Sequence, residues 1–375
     1  MKGRPHLLFA PRGGSEGIGE IVRALILARA ARERWPDGRI EFMLDSPGPL
    51  EGEPFPCHVV EGGLSQNIEG ANQALRRIRP DVLVLDNRGR TPTLECASEL
   101  GTRTVFIATQ LPFLEKIFRS RRLRFIDQLW IVQRRFGPGA SPLGWRQRLR
   151  LALGRRSTVH YLDSIFPEPK AERARELRNA LGLGDASYAV FVAGGGGYER
   201  EGRPVPEIFA EAAAGVQRAT GIACVAVMGP LHPGPVPDLP GVHAVKSLGP
   251  EAIIDLLHGA SVVACGGGGI AGQALANRCV CVAAPAGGPD QPERINECAE
   301  AGLLVASPLD AGAIASRVQG LLADETRRRE IRSRIEGCGF CNGVPIALDL
   351  LERLALSDAR RSRALPNGWP PATPA

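Results

Sequence analysis

No apolar run in this chain reaches the roughly 18 residues needed to cross a bilayer, and the start MKGRPHLLFAPRGG has too short an apolar stretch for a signal peptide. A cytoplasmic protein is therefore expected. No GxxxxGK[ST] occurs, and GxGxxG followed by an acid about 20 residues on is not met convincingly, which argues against a P-loop kinase and a dinucleotide dehydrogenase. No two aspartates lie two positions apart, so a DxD site holding a divalent metal on a sugar nucleotide is missing as well. The CxxC pair Cys338 and Cys341 lacks the second pair or His cluster that a zinc site requires. The other cysteines lie mainly in apolar segments such as Val263-Ala264-Cys265 and read as reduced core residues. No metal and no bound cofactor are expected.

What is present is an ordinary globular composition, 44% apolar and 23% charged, in 375 residues, a length at which two cores are the prior expectation. Net charge is only +6, yet residues 116–156 hold twelve Lys or Arg against one acid, Asp127. Trp130, Trp145, Leu149, Leu151 and Leu153 lie among these arginines. The mixture predicts contact with an anionic membrane surface or a lipid-linked acceptor, with a solvated basic face as the plain alternative. No nucleic-acid motif accompanies the charge, so nucleic acid is not an expected partner.

The apolar pattern alternates between strand and helix periods. In the first half, strands are expected at 6–10, 40–44, 58–60, 81–86, 104–108 and 128–132, with helices near 18–28, 68–78 and 92–100. Around 137–187 the pattern breaks into Gly, Pro and charged residues. It restarts with strands at 188–193, 223–228, 242–245, 260–265, 279–284 and 303–306. Alternation of this kind gives parallel sheets with right-handed crossovers. The expected class is α/β, two facing Rossmann-like domains with a cleft between them. The divisions are an acceptor-side domain at 1–155, a linker at 156–187, a second domain at 188–340, a helix at 341–356 and a mobile tail at 357–375.

In open α/β sheets ligands bind at the carboxyl ends of the strands. Three glycine-rich loops fall there: Gly13 to Gly19, Gly194 to Gly197, and Gly266 to Gly269. Glycine lets a backbone approach a phosphate, and the amides and dipole of the following helix hold its charge. A nucleotide diphosphate is the natural guest; a tight turn that binds nothing is the alternative.

The stretch ASVVACGGGGIAGQALANRCVCVAAPAGGPDQPERINECAEAGL resembles the nucleotide-sugar site of GT-B glycosyltransferases, especially the family 28 C-terminal domain. The segment GIGEIVRALILA at 17–28 is similar to a motif of the UDP-sugar hydrolase of pseudaminic acid biosynthesis, and VLVLDNRG and GFCNGV resemble that group too. The resemblance implies a metal-independent, inverting glycosyltransferase that moves a sugar from a nucleotide-sugar donor, UDP-linked, to a hydroxyl acceptor. A UDP-sugar hydrolase and a non-catalytic sugar-nucleotide binder are the competing expectations. Donor contacts are expected at Gly194, Gly195, Gly196, Gly266, Gly267, Gly268, Gly269, Gln273, Asp290 and Gln291. Gly17, Gly19 and Arg23 belong to an acceptor or phosphate loop.

Two positions depart from the pattern. The family's histidine falls on Glu20, and the acid that binds the donor ribose falls on Gln273, whose amide can still bond hydroxyls. A carboxylate at a helix N-terminus is stabilised when ionised, which weakens it as a base. Glu20 therefore either serves the acceptor or is simply a favourable first-turn glutamate. Asp86, at a strand's carboxyl end, is the other candidate base, or a loop cap.

Overall fold

The computed structural model describes residues 4–11, 19–87, 89–109, 117–118, 121–132, 144, 147, 151 and 157–356. The expected loop residue Gly17 lies outside the described residues, as do Trp145, Leu149 and Leu153 and the segment 357–375.

The first unit is built from β1 (His6–Pro11), α1 (Gly19–Arg34), β2 (Arg39–Leu44), β3 (Cys57–Val59), α2 (Ile68–Ile78), β4 (Val82–Asp86), α3 (Thr91–Glu99), β5 (Arg103–Ala108), β6 (Gln128–Ile131) and β7 (Thr158–Tyr161). Its strands pair in parallel in the order β3-β2-β1-β4-β5-β6-β7. The inner strands are buried at every position, as β4 (VLVLD) shows, because helices cover both faces of the sheet. Local chemistry sets the ends of α2. The Asn67 side chain accepts from the amide of Gly70 at 2.8 Å, and the helix stops at Arg79 in the left-handed region, just before Pro80.

A connecting segment carries α4 (Ala171–Ala180). The second unit then follows with β8 (Tyr188–Val192), the hairpin β9 (Glu199–Arg200) and β10 (Arg203–Pro204), α5 (Val205–Thr220), β11 (Ala223–Val227), β12 (Val242–Val245), α6 (Pro250–His258), β13 (Val262–Gly266), α7 (Gly269–Ala276), β14 (Cys281–Ala284), α8 (Gln291–Glu300), β15 (Val305–Ala306), α9 (Ala311–Ala323) and α10 (Glu325–Gly337). Its parallel sheet runs β12-β11-β8-β13-β14-β15.

Two features correct the expectation from sequence. Thr158–Tyr161, inside the stretch expected as a linker, is the outer strand of the first sheet, paired in parallel with β6. A short, half-exposed edge strand carries too little apolar signal to stand out among its basic neighbours. Trp130, expected at a membrane surface, is fully buried in the first core, where its indole N–H donates to Gln128 Oε1 at 2.8 Å. Its face of the sheet belongs to the buried cluster that includes Ile21, Leu25 and Ala28 of α1, so that side chain is turned away from any lipid.

The last helix, α11 (Gly343–Leu356), follows the second unit in sequence but packs on the first. Val344, Ala347, Leu348 and Leu351 share a buried cluster with Ile21, Leu25 and Ala28 of α1. The chain thus crosses between the units twice, and the two crossings are stitched together. Asn342 donates to the carbonyl of Phe166 at 2.8 Å, and the Gly343 amide donates to Ser164 O at 2.6 Å. Between the units, Arg29 of α1 pairs with Glu251 of α6 and with Glu53. No described helix is long and apolar enough to cross a membrane.

Candidate functional site

Each sheet has one topological switch point, where successive connections leave in opposite directions and a crevice opens at the carboxyl ends. In the first sheet this is the gap between β1 and β4, and in the second it is the gap between β8 and β13. The residues singled out in the sequence collect at these two places: Glu20 and Arg23 on α1 with Asp86 at the end of β4, and Gly194 to Gly197 after β8 with Gly266 to Gly269 after β13.

At the first switch point Asp86 is only 2% exposed, and it accepts two bonds from Arg23, at 2.6 Å from Nε and 3.0 Å from the second nitrogen. Burial pushes the Asp86 carboxyl up to about 6, against the downward pull of Arg23. The expected alternative base is therefore the buried half of an ion pair, with both oxygens occupied. Arg23, expected on a phosphate loop, is committed to the same pair, and Asp86 raises its pKa.

Beside this pair is a group that the sequence reading passed over. Asn87, 5% exposed, donates from its amide to Glu20 Oε1 at 3.1 Å and to Thr109 Oγ1 at 2.6 Å, and its Oδ1 accepts from the Thr109 amide at 3.1 Å. Its φ is 49°, in the left-handed region, which Asn enters more readily than most residues. Consecutive residues of an extended strand point to opposite faces; this turn lets Asp86 and Asn87 both reach α1. The visible clue was the dipeptide Asp86-Asn87 at a strand end.

At the second switch point the four glycines have different duties. A Cβ on Gly266 would run into the carbonyl oxygen of Ala193 and stand 2.8 Å from the Ala286 Cβ, and one on Gly267 would stand 2.6 Å from Ile295 Cδ1. Gly266 is glycine because the turn packs against the loops after β8 and β14, whereas Gly267 faces the side chain of Ile295 on α8. Gly269 has nothing within 4 Å, and near Gly268 the closest atom is Gln291 Nε2 at 3.5 Å. Gly269, at the N-terminus of α7, therefore leaves room for a ligand, and so does Gly194 on the loop after β8.

The neighbouring loops are tied to one another. Gly196 sits at φ +87 with the Met228 carbonyl 2.5 Å from where its Cβ would be, and the Leu231 amide donates to Gly195 O at 2.9 Å. Tyr198 lies over Gly287. Gln291, expected to contact the donor sugar, is 8% exposed, and its Oε1 accepts from the Ala286 amide at 2.8 Å, holding the loop after β14. Asp290 faces outward and pairs with Arg294 at 2.5 Å. Gln273, one helical turn beyond Gly269, is half-buried, and its side-chain amide has no hydrogen-bond partner among the described residues. His232 is buried beneath these loops, and Lys246 donates to its carbonyl and to Gly234 O.

Among the described residues no group of His, Cys, Asp and Glu could hold a metal ion. A cavity of ≈ 450 Å³ lies elsewhere, where Ile26 and Arg29 of α1 meet Lys170, Glu251 and Val344 and Leu348 of α11. Arg29 is nine residues, about 14 Å, along α1 from Glu20, so this space belongs to the junction between the units and not to either switch point.

Neither the protein-family models nor the curated proteins give a match to this chain. Solved structures do. The glycotransferase of kitacinnamycin is 16% identical, with 94% of this chain and 100% of that one covered at a TM-score of 0.62. A UDP-glucosyltransferase from Polygonum tinctorium capable of glucosylating indoxyl is 15% identical, with coverage of 95% and 99% at 0.64. A protein from Listeria monocytogenes assigned as a UDP-N-acetylglucosamine 2-epimerase is 14% identical, with coverage of 93% and 96% at 0.59. At such identities the likeness speaks for the fold, and the span is nearly the whole of each chain. The two parallel-sheet units of this chain superpose on these proteins over nearly their whole length, and the chain has the GT-B fold.

Proposed function

We propose that the protein is a glycosyltransferase that moves a sugar from a nucleotide-sugar donor, UDP-linked, to a hydroxyl acceptor by a single inverting displacement that needs no metal. The observation that carries this reading is the open half of the glycine turn. Gly269 starts a helix at the second switch point with open space around it, as Gly194 has on the loop after β8. In the reaction the acceptor oxygen attacks the anomeric carbon as the bond from that carbon to the diphosphate breaks. The leaving diphosphate takes the electron pair and rests on the helix-end amides. Gln273, with a free amide, is placed to bond the ribose, and Glu20 takes the acceptor's proton. Among the structural neighbours, Phytolacca americana UGT2 is complexed with UDP-2-fluoro-glucose and LpCGTa is in complex with UDP.

Calorimetry with UDP tests the donor site. Alanine at Gly269 meets no atom within 4 Å, so Gly269→Ala keeps the wild-type thermal midpoint while UDP affinity falls tenfold or more, the equivalent of about 1.4 kcal/mol. Gln273→Ala weakens UDP in the same direction. Wild-type affinity in both variants would sink the assignment. Thermal stabilisation by UDP-, dTDP- and GDP-sugars then ranks the base, since a ligand far above its Kd adds a few kcal/mol.

The acceptor side includes a second proposal, a contact between the basic 116–156 segment and anionic lipid. The described part of that segment narrows it: Trp130 takes no part, and Leu151 packs partly on the first core. Co-sedimentation with phosphatidylserine vesicles at low salt, lost at high salt, is the expected result; no sedimentation at low salt refutes it.

A further inference from the structure

Glu20 stands where the resemblance of the 17–28 segment places a histidine, and the structure shows how a carboxylate is held there. Asn87 has one possible orientation. Its Oδ1 faces the Thr109 backbone amide, which can only donate, so the oxygen is fixed and Nδ2 is left to face Glu20 and the Thr109 hydroxyl. Glu20 Oε1 accepts that donor at 3.1 Å, and Oε2 has no hydrogen-bond partner among the described residues. The left-handed φ of 49° is one that Asn adopts at lower cost than most residues, and its side chain brings a donor to Glu20.

We propose that Asn87 is a positioning residue for Glu20: clamped by Thr109, it holds Oε1 and leaves Oε2 as the single atom that takes the acceptor's proton. This rests on the transfer reading above. As the acceptor oxygen bonds to the anomeric carbon, its proton passes to Oε2 and the carboxyl group becomes neutral, while the donor diphosphate departs with the bonding pair. The other groups acting on Glu20 among the described residues are Arg23, on the same helix, and Asp86, on β4. They are locked to each other, so their opposite charges largely offset.

The test uses the full chain labelled with ¹³C at the glutamate carboxyls, with the Glu20 signal identified by its loss in Glu20→Gln. Asn87→Asp keeps the left-handed turn and exchanges the donor for a second carboxylate, so the Glu20 titration midpoint moves upward by about one pH unit or more. Asn87→Gly, which tolerates the turn and lacks any side chain, gives a smaller upward move. The acid limb of UDP-glucose turnover follows the Glu20 midpoint, with the KM for donor unchanged. A residue that merely shapes the turn would leave the midpoint in place in Asn87→Gly, because only the charge added in Asn87→Asp would then move it. A midpoint unchanged in Asn87→Gly overturns the proposal, and so does a shifted midpoint whose acid limb stays in place. Failure of the transfer reading would show separately, as absence of UDP binding in calorimetry on the same samples.

Discussion

Replacing Arg23 by methionine is expected to cost the first domain about 3–5 kcal/mol at pH 7.5, because it leaves the Asp86 carboxylate buried without its partner. The readout is selective. Residues 157–356 contain no tryptophan, whereas Trp35 and Trp130 are buried in the first core, so urea unfolding followed by tryptophan fluorescence reports the first domain. The pH dependence has a definite sign. Burial holds Asp86 at about 6, above its ordinary 3.8, so its contribution to stability is fullest below about pH 4 and is lost as pH rises through 6. Without Arg23 the carboxyl titrates higher still, and the loss continues beyond pH 6. The deficit of Arg23→Met relative to wild type therefore grows from pH 5 to pH 8. Adding Asp86→Asn should flatten that trend, and a deficit equal at both pH values would contradict the ion-pair account.

Gly266→Ala is the second large effect, and it separates two meanings of one glycine run. The new methyl has no room between the Ala193 carbonyl and Ala286, both on neighbouring loops, so overpacking costs about 1–3 kcal/mol and shifts the turn. Denaturation followed through the second domain should show the loss with or without nucleotide. Gly269→Ala, three residues on, should show the opposite pattern, with stability kept and UDP affinity lost. If Gly266→Ala left stability intact while Gly269→Ala reduced it, the packing description of this turn would be wrong.

The contrast shows what could be read from the chain before the fold was known. Strong periodic segments were legible nearly to the residue, as with α2 at Ile68–Ile78 and the apolar runs that became β4, β8 and β13. Their signals are local: an Asn cap, a proline stop, a strand buried on both faces. The glycine turn was legible as a turn but not in its division of labour. Whether a glycine serves packing or a ligand depends on loops 70 residues upstream and 20 residues downstream. Asp86 was recognised as a strand-end acid, and nothing near it in sequence announced that Arg23, 63 positions earlier, would cover it. Asn87 was overlooked because its importance lies in a conformation, a positive φ, that the letter N permits but does not demand.

The return of α11 to the first domain has a consequence for how the protein is made. Ribosomes add residues at about 5–20 per second, so on the order of 10–40 s separate synthesis of β7 from synthesis of the helix that completes its domain. Throughout that interval the face of α1 formed by Ile21, Leu25 and Ala28 lacks its cover of Val344, Leu348 and Leu351. The second domain, emerging later, holds all of its own strands in one continuous stretch and can close first. A nascent chain stalled before Gly343 should therefore present an unfinished apolar surface to chaperones and proteases, although most of its sequence is already in place.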